Sequence, residues 1–443
     1  MKLRLASMRM GVLAVAAMMV LAGPSCGGGS GISATGLGQP STALIAGNLI
    51  FVNAATDGMN EEQGFFGMLI DSGSPVVLLD PTLFNRPPPT TSAQIPITVN
   101  LGLLDANGNP VVVIKNAPAL QVTNAMMDAL GFGGILGGDV MRNFPVQLDY
   151  SAPMMDGFCL GCNASATRTD ISAGGTIPFT LKGGGNSAVT LGTDSQGNPI
   201  NSPVSNIPPT RIPLTVTIEG TSHQFILDTG ATEVSLRSTV YMDLVSDGRA
   251  QLVSGIAIMT IAGASNASIT RAKTITVGDV TIADAPVMTI VSTPPDELLD
   301  GISGELNMQV DGLLGGSFLR NFLVSIDYPH GQLHLQPFTT PPIPDEFRRV
   351  GFTIGLDAAG TNFVVASVYP NTDAATQGIM VGDQIVSVDG TTLVSVGYVA
   401  TADALLDGTP GTSKMIKFGA KTGDPALAGT TISVMVDDLI PNP

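Results

Sequence analysis

Apolar residues in this chain come in short runs, broken every few positions by Gly, Pro, Asn or Asp. Ile212-Pro213-Leu214-Thr215-Val216-Thr217-Ile218 alternates apolar and polar positions, the period of a strand with one buried face. Glu219-Gly220 supplies a turn, and a second strand then leads into Asp228. Long stretches with helical period are scarce, so the pattern predicts a mainly β chain. The 53 Gly and 31 Pro fit many short strands joined by turns.

The same strand-plus-acid signal occurs twice. Phe66-Gly67-Met68-Leu69-Ile70-Asp71-Ser72-Gly73-Ser74 recurs as Gln224-Phe225-Ile226-Leu227-Asp228-Thr229-Gly230-Ala231. A second block follows each. Gly134-Ile135-Leu136-Gly137-Gly138-Asp139-Val140-Met141-Arg142-Asn143-Phe144 precedes Val146-Gln147-Leu148-Asp149-Tyr150. Gly312-Leu313-Leu314-Gly315-Gly316-Ser317-Phe318-Leu319-Arg320-Asn321-Phe322 precedes Val324-Ser325-Ile326-Asp327-Tyr328. Repeated order at comparable spacing indicates a duplicated supersecondary unit. Asp71 lies 66 residues before Gly137 and Asp228 lies 87 before Gly315, so the second copy carries the longer insertion.

These four blocks resemble the aspartic proteases over roughly residues 45–338. The resemblance implies two pseudo-symmetric β lobes, with Asp71 and Asp228 facing each other. Two carboxylates held together can share one proton, and such a dyad can activate water against a peptide bond. Gly73 and Gly230 lack Cβ and let the backbone turn tightly beside the acids. The resemblance also implies that the Ser72 and Thr229 hydroxyls bond across the lobe junction. Ser74 brings a further hydroxyl where the second copy has Ala231, so the two sides are chemically unequal. Gly137 and Gly315 are expected beneath the acidic loops as structural residues. Arg142-Asn143 and Arg320-Asn321 are expected to open a short helix after the crossover strand. Hairpins around Leu104–Pro110 and Gly263–Asn266 are candidates for a cleft-covering flap. Met126-Met127 and Met154-Met155 stand either in a substrate groove or in the core.

The ends of the chain change the picture. Lys2, Arg4 and Arg9 precede an apolar run from Met10 to Ala22, the pattern of an export signal. Residues 1–26 then read as a leader and 27–44 as a flexible tether. Cys26 stands where the lipidated cysteine of a bacterial lipoprotein would stand, although Gly23 replaces the Leu usual in that family. Lipidation at Cys26 would attach the protein to a membrane; cleavage without it would release it. The expected location is the cell envelope or the exterior of a bacterium. Removing residues 1–25 carries the formal charge from −17 to −20, which excludes nucleic acid as a partner. Cys159 and Cys162 fall between the lobes, where export permits a small-loop disulfide. His330 and His334 read as solvated turn residues, and no metal or cofactor is expected.

Residues 156–205 join lobe one (45–155) to lobe two (206–338). Within them Thr176–Leu181 and Ala188–Leu191 are expected to form an outer hairpin. A Pro-rich linker, 339–345, precedes a third unit, 346–440. Val381-Gly382-Asp383-Gln384-Ile385-Val386-Ser387-Val388-Asp389-Gly390 resembles the core of a PDZ domain, in the variety common among bacterial proteases. Val350-Gly351-Phe352 then corresponds to the loop whose backbone N–H groups hold a peptide carboxylate, with the peptide added as a strand beside Gly351–Ile354.

Two functions are consistent with this organisation. One is a monomeric, exported aspartic endopeptidase acting on polypeptides, both acids coming from one chain. The other is a surface lipoprotein that uses the same lobes as a non-catalytic peptide-binding scaffold.

Overall fold

The computed structural model describes residues 12–14, 31–46, 48–59, 64–84, 95–121, 132–151, 157–162, 168–184, 188–193, 199–203, 207–252, 257–260, 263–291, 295–357, 361–396, 399–421, 423 and 425–440. Cys26, Met126, Met127, Met154 and Met155 lie outside this set. The protein is mainly β, with two sheet-built lobes and a smaller C-terminal domain.

In lobe one, Phe66–Ile70 runs antiparallel to Leu49–Thr56. Gly134–Leu136 then inserts between Phe66–Ile70, to which it is parallel, and Val77–Leu79, to which it is antiparallel. Lobe two repeats the arrangement. Thr221–Leu227 pairs with Pro213–Ile218, and Gly312–Leu314 lies between Thr221–Leu227 and Val234–Leu236 with the same two polarities. The inserted strands are three residues long and fully buried, which is why they read as continuous apolar runs rather than as alternation. Ile95–Leu104 pairs with both Leu49–Thr56 and Pro110–Gln121 and curls the first sheet back on itself. In lobe two the longer interval holds two helices, Ser238–Val245 and Glu297–Leu306.

A six-stranded antiparallel sheet joins the lobes. Pro145–Asp149 from lobe one pairs with Phe322–Asp327 from lobe two, and further strands extend both edges. The disulfide Cys159–Cys162 lies at the end of one of these strands, Phe158–Leu160. Gly175–Pro178 pairs with Gln332–Pro337 at the far edge, so the expected hairpin with Ala188–Leu191 does not form. Ala188–Thr193 pairs instead with Pro199–Pro203. As an edge strand of the central sheet, Gly175–Pro178 takes backbone partners from Gln332–Pro337 on one side, a pairing the local pattern alone could not rank.

The Arg-Asn pairs close their helices rather than open them. Asn143 Nδ2 donates to the carbonyls of Asp139 (2.9 Å) and Val140 (3.0 Å) at the end of Gly138–Met141. Asn321 Nδ2 does the same for Ser317 (3.1 Å) and Phe318 (2.9 Å). The side-chain amides give the Asp139 and Ser317 carbonyls a partner past the last turn and add to the backbone bonds that the Val140 and Phe318 carbonyls accept from Asn143 and Asn321.

The C-terminal domain is not held by the linker alone. Phe347 and Ile440 are buried with Ile226, Leu299 and Leu313 of lobe two. Arg271, 0% exposed, donates to the Ile440 carbonyl (2.6 Å) and pairs with Asp345 (2.6 Å) and Asp438 (3.1 Å). At one edge of the lobe-two sheet, Val12–Ala14 runs parallel to Ala257–Met259.

Candidate active site

Each acidic loop begins where its strand meets the inserted one. The Asp71 N–H donates to the Leu136 carbonyl and the Asp228 N–H to the Leu314 carbonyl, both at 3.1 Å. The repeat in the sequence is therefore a repeat in hydrogen bonding as well. Gly137 and Gly315 sit directly under the loops. A Cβ on Gly137 would lie 2.2 Å from the Val76 carbonyl oxygen, and one on Gly315 would lie 2.1 Å from that of Glu233.

Four hydrogen bonds lock the two loops together. The Ser72 N–H donates to Thr229 Oγ1 (2.9 Å), and the Thr229 N–H donates to Ser72 Oγ (3.1 Å). Each hydroxyl then donates across the junction, Ser72 Oγ to the Leu227 carbonyl (3.0 Å) and Thr229 Oγ1 to that of Ile70 (2.9 Å). All four groups are buried, where a lost partner costs about 1–3 kcal/mol.

This lock brings the carboxyl groups face to face. A Cβ on Gly73 would stand 2.4 Å from Asp228 Oδ1, and one on Gly230 would stand 2.6 Å from Asp71 Oδ1. Asp71 Oδ1 accepts from the Ser74 N–H (2.9 Å) and Asp228 Oδ1 from the Gly230 N–H (3.0 Å). No N–H or O–H of a described residue donates to Oδ2 of either acid. The surroundings differ as the sequence does: the Ser74 hydroxyl donates to the Val76 carbonyl (2.8 Å), whereas Ala231 contributes only its backbone.

Both acids are 0% exposed, and burial pushes both carboxyls above their ordinary range. The charge of Asp228 and the hydrogen bond between the two raise Asp71 further. The two carboxyls titrate as a pair that retains one proton well above the pH at which an isolated aspartate would lose it.

Residues 214–318 match the aspartyl protease family. Residues 343–416 match the PDZ domain. No curated protein matches the chain. The protease match covers the second lobe, which carries Asp228, Thr229, Gly230 and Gly315. The first lobe supplies the same strand order and the same hydrogen bonds around Asp71. The fold is thus a pair of protease-like β lobes followed by a PDZ domain.

One charged neighbour of the dyad escaped the sequence reading. Arg211, 0% exposed, lies just before the strand Pro213–Ile218, and its charge lowers both Asp71 and Asp228. Its Nη2 donates to Glu305 Oε2 at 3.3 Å. Its neighbours span the lobe junction: Thr210 packs against Gly138 of lobe one, and the Ile212 carbonyl accepts the Leu227 N–H. The only local signal was one Arg in an otherwise uncharged strand approach.

In the PDZ domain, Val350, Gly351 and Phe352 lead into the strand Phe352–Leu356. A Cβ at Gly351 would lie 2.2 Å from Thr372 Oγ1, so only glycine fits there. The edge expected to receive a peptide is already engaged at one point. The Ile354 N–H donates to Asp403 Oδ1 (2.6 Å), and Asp403 Oδ2 pairs with Arg349 (2.7 Å).

Proposed function

We propose that the protein is an exported aspartic endopeptidase that cleaves polypeptides with an intrachain Asp71/Asp228 dyad. The observation that carries this reading is the reciprocal packing of Gly73 on Asp228 and Gly230 on Asp71, locked by Ser72 and Thr229. A protease domain matched over residues 214–318 and a PDZ domain matched over 343–416 support a protease-like role with peptide binding.

The chemistry follows from one proton shared by two acids. The ionised carboxylate takes a proton from a water lying between the Oδ2 atoms. The protonated carboxyl donates a hydrogen bond to the scissile carbonyl and polarises it. Water oxygen bonds to the carbonyl carbon, giving a tetrahedral intermediate. The proton taken from water passes to the leaving nitrogen as the C–N bond breaks, which restores the starting state. Arg211 favours the singly ionised pair, because its positive charge opposes protonation of the second carboxylate.

Because both acids are fully buried, substrate has to enter by displacing a cover. The edge hairpin Ala257–Thr260/Gly263–Asn266 in lobe two is the candidate for that role, whereas the turn closed by Asp105–Asn109 lies beside Ala54 and Phe66, at the end of Phe66–Ile70 away from Asp71, and does not fit it. The PDZ groove serves as a second peptide grip once Asp403 leaves Ile354. Cys26 provides membrane attachment where it is lipidated, and one chain suffices for activity.

The test is cleavage of an unstructured polypeptide by wild type, Asp71→Asn and Asp228→Asn. Loss of at least about 10²-fold in each variant is expected, the scale of general acid–base catalysis. Undiminished cleavage by both variants would refute the dyad. Peptide binding without cleavage by wild type would favour the scaffold reading.

A further inference from the structure

Glu233 follows Asp228 by five residues and is completely buried. Its counterpart in lobe one is Val76, since Gly315 packs on the Glu233 backbone as Gly137 packs on that of Val76. A carboxyl group has therefore taken an apolar position in only one lobe. It faces Glu346, which lies in the segment between lobe two and the PDZ domain.

Three parts of the chain meet around these two acids. Asn48 of lobe one directs its Nδ2 at Glu346 Oε1 (2.9 Å), Glu233 Oε1 (3.3 Å) and the Thr232 carbonyl (3.2 Å). Arg320 of lobe two donates through Nη1 to Glu346 Oε2, to Asn48 Oδ1 (3.1 Å) and to the Pro344 carbonyl (3.1 Å). The Thr232 carbonyl also accepts the Ser317 N–H (2.9 Å), so the loop carrying Asp228 and the linker share fastenings. Arg320 is the one cation in direct contact with the pair among the described residues. Asp345 is 3.9 Å from Arg320 Nη2 but is matched by Arg271 at 2.6 Å.

Two carboxyl groups against one buried guanidinium cannot both ionise without leaving a charge uncompensated. We propose that the Glu233–Glu346 pair is a proton-operated latch: one proton shared by the pair clamps the PDZ linker onto the loop that carries Asp228, and loss of that proton releases it. This goes beyond the proposed peptidase activity and does not depend on it.

The charges around the latch set its direction. Burial, then the Glu346 charge, push the Glu233 carboxyl up, while Arg320 and Ser317 pull it back. Burial also raises Glu346, but the Arg320 charge together with the hydrogen bonds from Glu233, the backbone and Arg320 outweighs it and holds that group below the usual carboxylate range. On the PDZ side, Asp407 and Tyr369 lie within electrostatic reach of Glu346, and Arg349 beside them is matched to Asp403 and Asp407. Glu346 therefore holds the negative charge and Glu233 the proton. Raising the pH puts a second negative charge beside the first and drives the linker off.

Hydrogen exchange of the full chain, corrected for intrinsic rates, reads the latch without using activity. Between about pH 5 and about pH 8, wild-type amides of residues 341–350 are expected to lose protection about tenfold or more. Glu233→Gln keeps the shape and cannot ionise, so its protection should stay constant. Glu346→Gln leaves Arg320 to neutralise Glu233 and should also remove the pH dependence. It decides the question should Glu233→Gln fail to fold. Asp345→Asn, outside the pair, should keep the wild-type pH dependence. Flat protection in wild type, or an unchanged loss in a folded Gln variant, would overturn the latch.

Discussion

Gly73 lies against the carboxylate of Asp228, so close that a Cβ there would sit 2.4 Å from both Cγ and Oδ1. Gly230 stands in the same relation to Asp71. The smallest side chain of each loop thus fixes the place of the other loop's acid.

Gly73→Ala should separate the carboxyl groups while the strands beneath them persist. The expected result is a fall in kcat of at least about 10²-fold, with the fold destabilised by about 1–3 kcal/mol but still formed at the assay temperature. A steady-state assay and a melting curve on the same sample check both. Wild-type kcat in the alanine variant would show that the acids do not work as a pair.

The reciprocal bonds between Ser72 and Thr229 should couple energetically. Ser72→Ala and Thr229→Val each leave a buried N–H without its hydroxyl acceptor, at a cost of about 1–3 kcal/mol. The double variant should cost less than the two single losses together, as expected for groups that serve each other. Denaturant unfolding of the four proteins measures this.

Arg211→Met should move the acid limb of the pH–rate profile. The Arg211 charge lowers both acids, so removing it raises them. The dyad then keeps its second proton to higher pH, and activity falls off earlier on acidification, by up to about one pH unit. An acid limb that stays in place would remove Arg211 from the electrostatics of the dyad.

Asp139 should make lobe one less stable as the pH rises. Burial pushes its carboxyl up to about 7, above the unfolded value of about 4. The protonated form is favoured on folding, so its stabilisation is complete below about pH 4 and is lost as the pH rises through about 7. Asp139→Asn should flatten stability over that window, measured by melting temperature against pH.

Asp403→Ala should free the Ile354 N–H and open the PDZ groove. The affinity for a peptide with a free C-terminus should rise about tenfold, read by fluorescence anisotropy, while loss of the 2.7 Å pair with buried Arg349 lowers the stability of the domain. Equal affinities would mean that Asp403 does not compete with ligand.

Much of the fold was legible because duplication prints the same local order twice. Asp71 and Asp228, each at the end of an apolar strand, and Gly137 and Gly315 downstream could be matched by position alone. What could not be read were the relations set by distant packing. Asn48 meets Glu346 across 298 residues, and no local pattern favours that pairing over others. Gly175–Pro178 has strand character, but its partner is chosen by the open edge of the central sheet. Arg142-Asn143 marked a helix correctly but at the wrong end, since Asn can satisfy backbone groups at either terminus. The burial of Arg211 is likewise set by distant packing, which no local pattern announces.

The central sheet, in which Pro145–Asp149 of one half pairs with Phe322–Asp327 of the other, has the form of a dimer interface drawn within a single polypeptide. In a symmetric dimer every substitution is made twice, once on each side of the axis. Covalent continuity lifts that restriction. An acid at Glu233 opposite a valine at Val76, and a hydroxyl at Ser74 opposite a methyl at Ala231, are changes that only a fused pair can make one side at a time. The covalent join thus gives this chain the means to hand the two aspartates different tasks.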